Sequence, residues 1–381
     1  MSPGRRVYFW QSTPSPHLSA FMRALAELPG IEQVQAVFIQ PLEKERLAMG
    51  WQEARFGDVE AHVRPDGQQL SKLLAESDGR AVHVFSQFIV DPTIRQLFRR
   101  IGERPATIGL MSEGRDWRGL KGALRTLHSF TRERRMAGRC DFLLAIGHQS
   151  RTWHRRAGFR PERIFDFCYA VEQPAAIETG PPAYEGPARL LFVGQLIRRK
   201  RPDLLLQALS QLSAMEWDLQ LVGDGPEFGT LLETARHLGL DDRIHWLGPQ
   251  DNATVRRLLA ETDLVVLPSH WDGWGAVVNE ALMSGARVVC SDYCGAAELV
   301  DGTGHGGIFA CDSANALASV LAGQIARGPV AAEERAAIKA RSGRFSGPAV
   351  ARYFVDILDS IQETGHPAPV PPWRIHADGP E

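Results

Sequence analysis

Two carboxylates lie close together in a segment rich in glycine and tryptophan, SHWDGWGAVVNEALMSG. Asp272 stands in its loop-like first half, and Glu280 follows eight positions later within helical apolar spacing. Two acids around a glycine-rich turn could act as a general acid and base, or they could grip a ligand from two sides. They could equally serve only the turn and the helix start, because an early Glu often only complements the helix dipole. The residue types alone leave all three interpretations open.

A run of four cations, Arg198 to Arg201, is the second group that could do chemistry. It follows a strand that ends near Gly194 and precedes Pro202, a residue favoured at the first position of a helix. Such a run is usually a solvated surface loop. At the carboxyl end of a parallel strand and beside a helix N-terminus, the same charges would suit a diphosphate.

Three glycines, Gly223, Gly225 and Gly229, follow another strand in VGDGPEFG. Their spacing differs from the GxGxxG dinucleotide fingerprint, and the next strand, RIHWLG, does not end in the acid that would hold an adenosine ribose. The segment could be only a tight strand-to-helix turn. We favour a turn that approaches a ligand without being an NAD site.

These residues need strands and helices to bring them together. Short apolar runs alternate with amphipathic stretches, and each half of the chain offers six strand candidates. Continuously apolar strands separated by helices indicate a parallel sheet covered on both faces. Each half is therefore predicted to be a doubly wound α/β domain that binds ligands at the carboxyl ends of its strands, with a cleft between the two domains.

Composition suggests where the domains divide. The segment VEQPAAIETGPPAYEGPA is rich in Pro, Gly and Ala and has no periodicity, which is typical of a linker. A last helical pattern, FSGPAVARYFVDILDSIQ, precedes a Pro-rich end that is expected to be poorly ordered. The predicted divisions are 1–172 for the first domain, 173–187 for the linker, 188–345 for the second domain, 346–363 for the last helix and 364–381 for the tail.

Charge and cysteine content narrow the class of protein. The 381 residues carry a formal net charge of −2, so bulk charge does not argue for nucleic acid as a partner. No run of about 18 apolar residues could cross a membrane, and MSPGRRVYFW lacks the apolar stretch of a signal peptide. Five scattered cysteines suit a reducing cytoplasm. Without CxxC, HExxH or a local Cys/His cluster, no metal site is expected.

Positive charge is concentrated between Lys121 and Arg163, where 11 Lys and Arg residues face three acids, a local balance of +8. A basic, partly amphipathic face suits an anionic membrane surface or a lipid-diphosphate acceptor. It is equally compatible with a solvated helix face beside a phosphate-rich acceptor site.

The motifs of the second half follow one order: VGQLIRRKRPDLLLQAL, LVGDGPEFGTLL, DRIHWLG and TDLVVLPSHWDGWGAVVNEALMSGARVVCSDYCGAAELV. In order and spacing, from roughly Ala188 to Ala326, they resemble the nucleotide-binding half of retaining family 4 glycosyltransferases of the GT-B fold. The first half resembles that family only in architecture and in stretches such as DFLLAIG and AGFRPERIF. The resemblance implies an acceptor-binding and a nucleotide-sugar-binding Rossmann-like domain facing each other across a cleft, with the last helix returning to the first domain.

The resemblance also implies roles for the candidate residues. The family has two Glu separated by seven residues. Asp272 holds the first position and would receive hydroxyls of the donor sugar, while Glu280 would accept hydrogen bonds from the nucleotide ribose. Lys200 matches the family's diphosphate lysine, and backbone amides near the helix start would hold sugar and phosphate. The residues implied around the donor are Gly194, Arg199, Gly223, Gly225, Gly273, Trp274, Gly275 and Ala276.

Two positions depart from the family's pattern. Gln195 replaces the usual arginine after the first strand of the second domain, and Arg198 or Arg199 could supply that charge. Asp272 is one methylene shorter than the family's Glu, so the donor sugar could sit differently or be a different sugar.

The first domain offers two candidates by resemblance. Glu113, after the predicted fourth strand, matches a polar residue near the donor sugar, although a solvent-facing loop acid would look the same. His17, in the segment STPSPH after the first strand, is a candidate acceptor contact, although a histidine at a helix start is often only structural.

The implied function is transfer of a sugar from a UDP- or GDP-linked donor to a saccharide or lipid-linked acceptor. Transfer would proceed with retention and without a metal or other cofactor, in polysaccharide or lipopolysaccharide assembly, in the cytoplasm or peripherally on the inner face of the membrane. Gln195 and Asp272 leave open a chain that binds a nucleotide sugar as a sensor or partner subunit and does not transfer. An NAD-linked enzyme is a third alternative.

Overall fold

The computed structural model describes residues 4–42, 55–86, 91–172, 184–362 and 367–375. They divide into two compact units. The first combines the residues up to Glu172 with the segment Phe345–Ile375, and the second comprises the residues between them, up to Arg344. Most of the predicted linker lies outside the described residues, which resume at Tyr184.

The first unit is built on a parallel sheet with helices between its strands. The strands are β1 (Arg5–Gln11), β2 (Ile31–Phe38), β3 (Glu60–Val63), β4 (Ala81–Ser86), β5 (Thr107–Glu113), β6 (Phe142–Ile146) and β7 (Ile164–Phe167). They pair in the order β3-β2-β1-β4-β5-β6-β7. The helices are α1 (Pro16–Ala26), α2 (Gly67–Ala75), α3 (Pro92–Ile101), α4 (Gly119–Ala137), α5 (His148–Arg156) and, from the end of the chain, α12 (Gly347–Gln362).

Strand β1 shows why this sheet is covered on both faces. Tyr8, Phe9 and Trp10 are all buried, although successive side chains of a strand point to opposite faces. The buried indole of Trp10 donates to Nδ1 of His83 at 3.0 Å. Burial lowers the pKa of His83 to about 3, so the ring is neutral and can accept this bond.

Strand β3 is the one described strand of the first unit that the sequence pattern did not predict. It lies at the edge of the sheet, and three of its four side chains are exposed. An edge strand with solvent on its outer side needs no apolar run, so EAHV carries no strand signal.

The second unit is a parallel sheet in which all six predicted strands are found. The strands are β8 (Ala188–Val193), β9 (Trp217–Val222), β10 (Ile244–Gly248), β11 (Leu264–Leu267), β12 (Arg287–Ser291) and β13 (Gly306–Phe309). They pair in the order β10-β9-β8-β11-β12-β13. The helices are α6 (Pro202–Ser210), α7 (Phe228–His237), α8 (Asn252–Glu261), α9 (Ala276–Ser284), α10 (Ala314–Ile325) and α11 (Ala332–Ser342).

The last helix, α12, packs on the first unit. Gly347 lies against the backbone of Ala20 in α1, and the Phe354 ring contacts Phe21 edge to face. The following segment departs from the expectation of a poorly ordered tail. Trp373 is buried, and its ring lies 5.5 Å from that of Tyr353 in α12, so this part of the tail packs against the last helix.

The predicted fold class, two parallel α/β domains with a last helix that returns to the first, is confirmed. Within the described residues, no helix is both long enough and apolar enough to span a bilayer.

Candidate functional site

Strand order brings the two principal groups of candidate residues together. From β8 the chain builds β9 and β10 on one side, then returns to add β11 on the other side of β8. The loops after β8 and β11 therefore leave neighbouring strands at the same edge in opposite directions, the arrangement at which doubly wound sheets bind ligands. Lys200 lies in the first loop and Asp272 in the second.

Lys200 and Asp272 form an ion pair at this edge. The Lys200 ammonium donates to Oδ2 of Asp272 at 2.5 Å, and the Ser269 hydroxyl lies 3.4 Å from the same oxygen. Arg199 donates to the carbonyl of Trp271 at 2.8 Å, and its guanidinium lies 3.8 Å from Oδ1 of Asp272. One carboxylate thus faces two cations.

The rest of the cation run points elsewhere. The Arg198 side chain is 91% exposed and pairs with Glu227 at 3.5 Å. Arg201 adopts a left-handed backbone with φ of 53° and pairs with Asp203 and Asp312. Of the two arginines considered as a substitute for the charge missing at Gln195, only Arg199 lies beside Asp272.

The loop that carries Asp272 is held by the loop after β12. The Asp272 N–H donates to the carbonyl of Tyr293 at 3.0 Å, and the Gly295 N–H donates to the carbonyl of Asp272 at 2.9 Å. The Ser291 hydroxyl donates to the carbonyl of Ser269 at 2.6 Å. A Cβ on Gly295 would lie 2.0 Å from the carbonyl oxygen of Gly273, so only glycine allows the two loops to approach this closely.

Trp274 and Gly275 join this loop to helix α9. The Trp274 side chain is buried, and its indole donates to Oδ1 of Asn279 at 2.7 Å, so its side chain anchors the loop. Gly275 has φ of 93°, and a Cβ there would lie 2.7 Å from Leu267. Helix α9 begins at Ala276 and ends at Ser284, and Gly285, with φ of 81°, caps its end as the sequence predicts. Its first N–H groups have no partner inside the helix and carry partial positive charge.

Glu280 lies one turn into α9, half-buried. Burial raises the pKa of its carboxyl to about 7, and the charge of Arg256 opposes the shift. Within the described residues no hydrogen bond or ion pair satisfies this carboxylate. A half-buried acid without a partner is suited to a ligand that brings hydrogen-bond donors.

The glycines after β8 and β9 have a packing role. A Cβ on Gly223, whose φ is 134°, would lie 1.9 Å from the carbonyl oxygen of Gly194, and one on Gly225 would lie 2.4 Å from that of Leu196. The segments that follow β8 and β9 can therefore approach each other this closely only because glycine occupies positions 223 and 225. Gly229, inside α7, has open space around it.

A cluster of metal-ligand types lies next to this edge. His270, Cys311 and Asp312 bring their ligand atoms within 4.8 Å of one another. Nδ1 of His270 lies 2.6 Å from Asp312, which Arg201 also contacts. Motif spacing along the chain did not reveal this group, because His270 and Asp312 follow different strands. The arginine on Asp312 already supplies positive charge there.

In the first unit, Tyr169 links the two predicted side chains. Its hydroxyl donates to Oε1 of Glu113 at 2.9 Å, and its ring lies 5.7 Å from that of His17. Glu113 ends β5 and His17 begins α1, so both lie at the carboxyl edge of this sheet. Tyr169 was missed by sequence reasoning, although its place as the last residue of the predicted strand RIFDFCY was a usable signal.

Comparison with known proteins finds similarity in the second unit. Residues 176–341 match the family described as Glycosyl transferases group 1. N-acetyl-alpha-D-glucosaminyl L-malate synthase of Bacillus anthracis is 35% identical over 112 residues, which is 29% of each chain. Lipopolysaccharide 1,6-galactosyltransferase of Salmonella typhimurium is 30% identical over 129 residues, covering 32% of this chain and 36% of that one. The chain thus spans about a third of the length of the curated relatives it matches.

Solved structures extend the likeness to the whole fold. The apo form of the lipopolysaccharide outer core galactosyltransferase WaaB covers 93% of this chain and 99% of its own, with a TM-score of 0.68 and 16% identity. Anabaena HepE in complex with UDP covers 93% and 100%, with a TM-score of 0.66 and 16% identity. The fold is that of GT-B glycosyltransferases, and residues 176–341 match the glycosyl transferases group 1 family.

Proposed function

We propose that this chain transfers a sugar from a nucleoside diphosphate sugar to an acceptor hydroxyl, with retention at the anomeric carbon, as a family 4 enzyme. The observation that carries the proposal is the Lys200–Asp272 pair at the edge between β8 and β11, beside the N-terminus of α9. This edge of the second unit brings together two cations, the N–H groups at the start of α9, and acids that can accept hydrogen bonds from sugar hydroxyls.

The cationic side of this edge fits the leaving group. As the bond from the anomeric carbon to the diphosphate breaks, negative charge develops on the phosphate oxygens, and Lys200, Arg199 and the N-terminus of α9 stabilise it. The acceptor oxygen forms the new bond, and its proton passes to a phosphate oxygen of the donor. Positive charge comes from the protein, so the proposed step uses no metal.

The two acids act as a clamp. Glu280 accepts hydrogen bonds from the ribose, and Asp272 receives hydroxyls of the sugar, with the phosphates between them. In the free protein Lys200 and Asp272 form an ion pair with each other. When the donor binds, sugar hydroxyls donate to Asp272 and a phosphate contacts Lys200, and these contacts replace the ion pair.

The comparisons support the donor and pathway classes. One similar structure contains UDP, another contains UDP-glucose, and two relatives are named as lipopolysaccharide galactosyltransferases. We therefore propose UDP- or GDP-linked donors and an acceptor of polysaccharide or lipopolysaccharide assembly. Glu113, His17 and Tyr169 are the proposed contacts of the first unit with the reacting sugars.

The test is a screen of UDP- and GDP-sugars for nucleotide release with candidate acceptors. Lys200→Ala and Glu280→Ala should each reduce turnover strongly. The exposed Arg236 and Glu261, changed to Ala, are matched controls that should leave it unchanged. Full turnover by the first two variants would contradict the assignment.

The Lys200–Asp272 pair also favours a second candidate, a nucleotide-sugar sensor without transferase activity. Its Asp272 carboxylate neutralises the lysine that the reaction needs, and Gln195 supplies no charge in its place. Nucleotide-sugar binding without release across a broad acceptor panel would favour the sensor.

A further inference from the structure

Helix α4 turns its large apolar side chains toward solvent. Leu120, Leu124 and Leu127 are 87%, 68% and 62% exposed, and Phe130 is 37% exposed. Their spacing of three and four residues places them on one side of the helix, along about 15 Å of its axis. Four of the eight most exposed large apolar side chains of the described residues belong to this one helix.

The inner side of α4 is polar up to its last turn, where Met136 and Ala137 pack against the core of the first unit. Ser129 and Glu133 are buried there, and burial raises the pKa of the Glu133 carboxyl. A surface helix ordinarily buries its apolar stripe and exposes its charges. Helix α4 does the reverse, so folding of the monomer alone does not account for its leucines.

Cations border the exposed leucines. Lys121, Arg125 and Arg134 are exposed on α4, and Arg155 and Arg156 are exposed on the adjoining α5. The helix has a single acid, Glu133, and it is buried. The outward face of α4 therefore combines apolar and positive side chains without a carboxylate of its own.

We propose that the outward face of α4, defined by Leu120, Leu124, Leu127 and Phe130 with Lys121 and Arg134, docks on the surface of a bilayer that contains anionic lipids. Apolar side chains enter the boundary between headgroups and acyl chains, and the cations contact anionic headgroups. A second copy of this chain fits less well, because a two-fold contact through this face would set like charges against each other.

The docking places the first unit's candidate site near the bilayer. Helix α4 follows β5, whose last residue is Glu113. An acceptor held in the membrane by a lipid would thus meet Glu113, His17 and Tyr169 at the bilayer surface. This second step rests on the proposed function, whereas binding to the bilayer does not.

The experiment is co-sedimentation of the full chain with vesicles of phosphatidylglycerol and phosphatidylcholine, and with phosphatidylcholine alone. The wild-type protein should bind the anionic vesicles, and added salt should weaken binding. The double variant Leu124→Asp, Leu127→Asp should lower partitioning about tenfold or more, and so should Lys121→Glu with Arg134→Glu. Nucleotide release with a soluble acceptor should be retained by both variants, which separates this inference from the proposed transferase activity.

Matched controls lie on the same unit. Val63→Asp removes an exposed apolar side chain from β3, and Arg99→Glu with Arg100→Glu reverses exposed charges on α3. All should bind vesicles as the wild type does. Equal binding by the α4 variants, or no binding by the wild type, would overturn the proposal. The proposal would also be overturned if the wild type were a dimer in the absence of vesicles and the leucine variant a monomer, since a second copy would then cover the face.

Discussion

The ligand edges of the two units share an architecture and differ in how firmly their side chains are held. In the second unit, Asp272 is fixed through its own N–H and carbonyl, the Trp274 side chain is buried, and Gly275 and Gly295 permit contacts that a Cβ would prevent. In the first unit, Glu113 is exposed and is joined to the sheet edge through the hydroxyl of Tyr169.

This difference suits the two tasks proposed for the units, donor binding in the second and acceptor binding in the first. A nucleoside diphosphate presents the same charges in every reaction, so a rigid, preorganised edge stabilises its departure at little cost in reorganisation. An acceptor varies, and exposed side chains on a simpler edge can change without disturbing the fold. The following four experiments test the contrast, beginning with the largest expected effect.

Lys200→Met should lower kcat/KM for transfer by about 10²–10³-fold, because it removes the cation closest to the departing phosphate. Arg198→Met, two positions earlier in the same run, should change it by less than about twofold, because that side chain is almost fully exposed. Steady-state nucleotide release measures both. Similar losses in the two variants would show that the run acts as diffuse charge and that the edge is not preorganised.

Gly295→Ala should destabilise the second unit by about 2–4 kcal/mol, since the new methyl group would meet the carbonyl of Gly273 and separate the two loops. Urea unfolding gives the free energy. Gly229→Ala is the matched control. It should stabilise by about 0.5–1 kcal/mol, because that glycine lies inside α7 with open space around it.

Glu280→Gln should stabilise the protein at pH 8 by about 1–2 kcal/mol and have little effect at pH 5. The folded-state pKa of about 7 lies above the ordinary value of 4.5. The native state therefore binds the proton more tightly than the unfolded state does. The free energy of unfolding falls as pH rises from 4.5 through about 7. Melting temperatures at the two pH values measure it. A variant that is destabilising at pH 8 would mean that the carboxylate has a stabilising partner.

Tyr169→Phe should give the smallest effect. Loss of its hydroxyl frees Glu113, which the family resemblance places near the donor sugar, and should raise the KM for donor a few-fold, with the KM for acceptor unchanged and stability altered by about 0.5 kcal/mol or less. Initial rates with each substrate varied in turn separate the two constants. A rise in the KM for acceptor instead would place Glu113 at the acceptor.

Continuous apolar runs made most of the fold predictable. All six strands of the second unit were predicted, and the signal is clearest for β11 and β12, because a strand buried on both faces must be apolar almost throughout. The exposed edge strand β3 carries no such signal. Motif order likewise identified Lys200, Asp272 and Glu280 as candidates, and these roles remain predictions.

What sequence could not supply depends on strand order. His270 meets Asp312, and Tyr169 meets Glu113, only because strands that lie two places apart in each sheet end at the same edge. The segment containing α4 was interpreted from its charge alone, since a leucine stripe at helical spacing predicts a helix face without saying which way that face turns.

The backbone pairing of Asp272 with Cys294 adds one rung to the sheet beyond the ends of β11 and β12. Because this rung fixes the main chain at position 272, the length of the side chain alone determines how far its carboxylate reaches. If Asp272 holds the donor sugar as proposed, its side-chain length sets the distance from the main chain to the sugar hydroxyls. Asp272→Glu, which adds one methylene, should then change which donor sugar is preferred while the surrounding loops stay as they are.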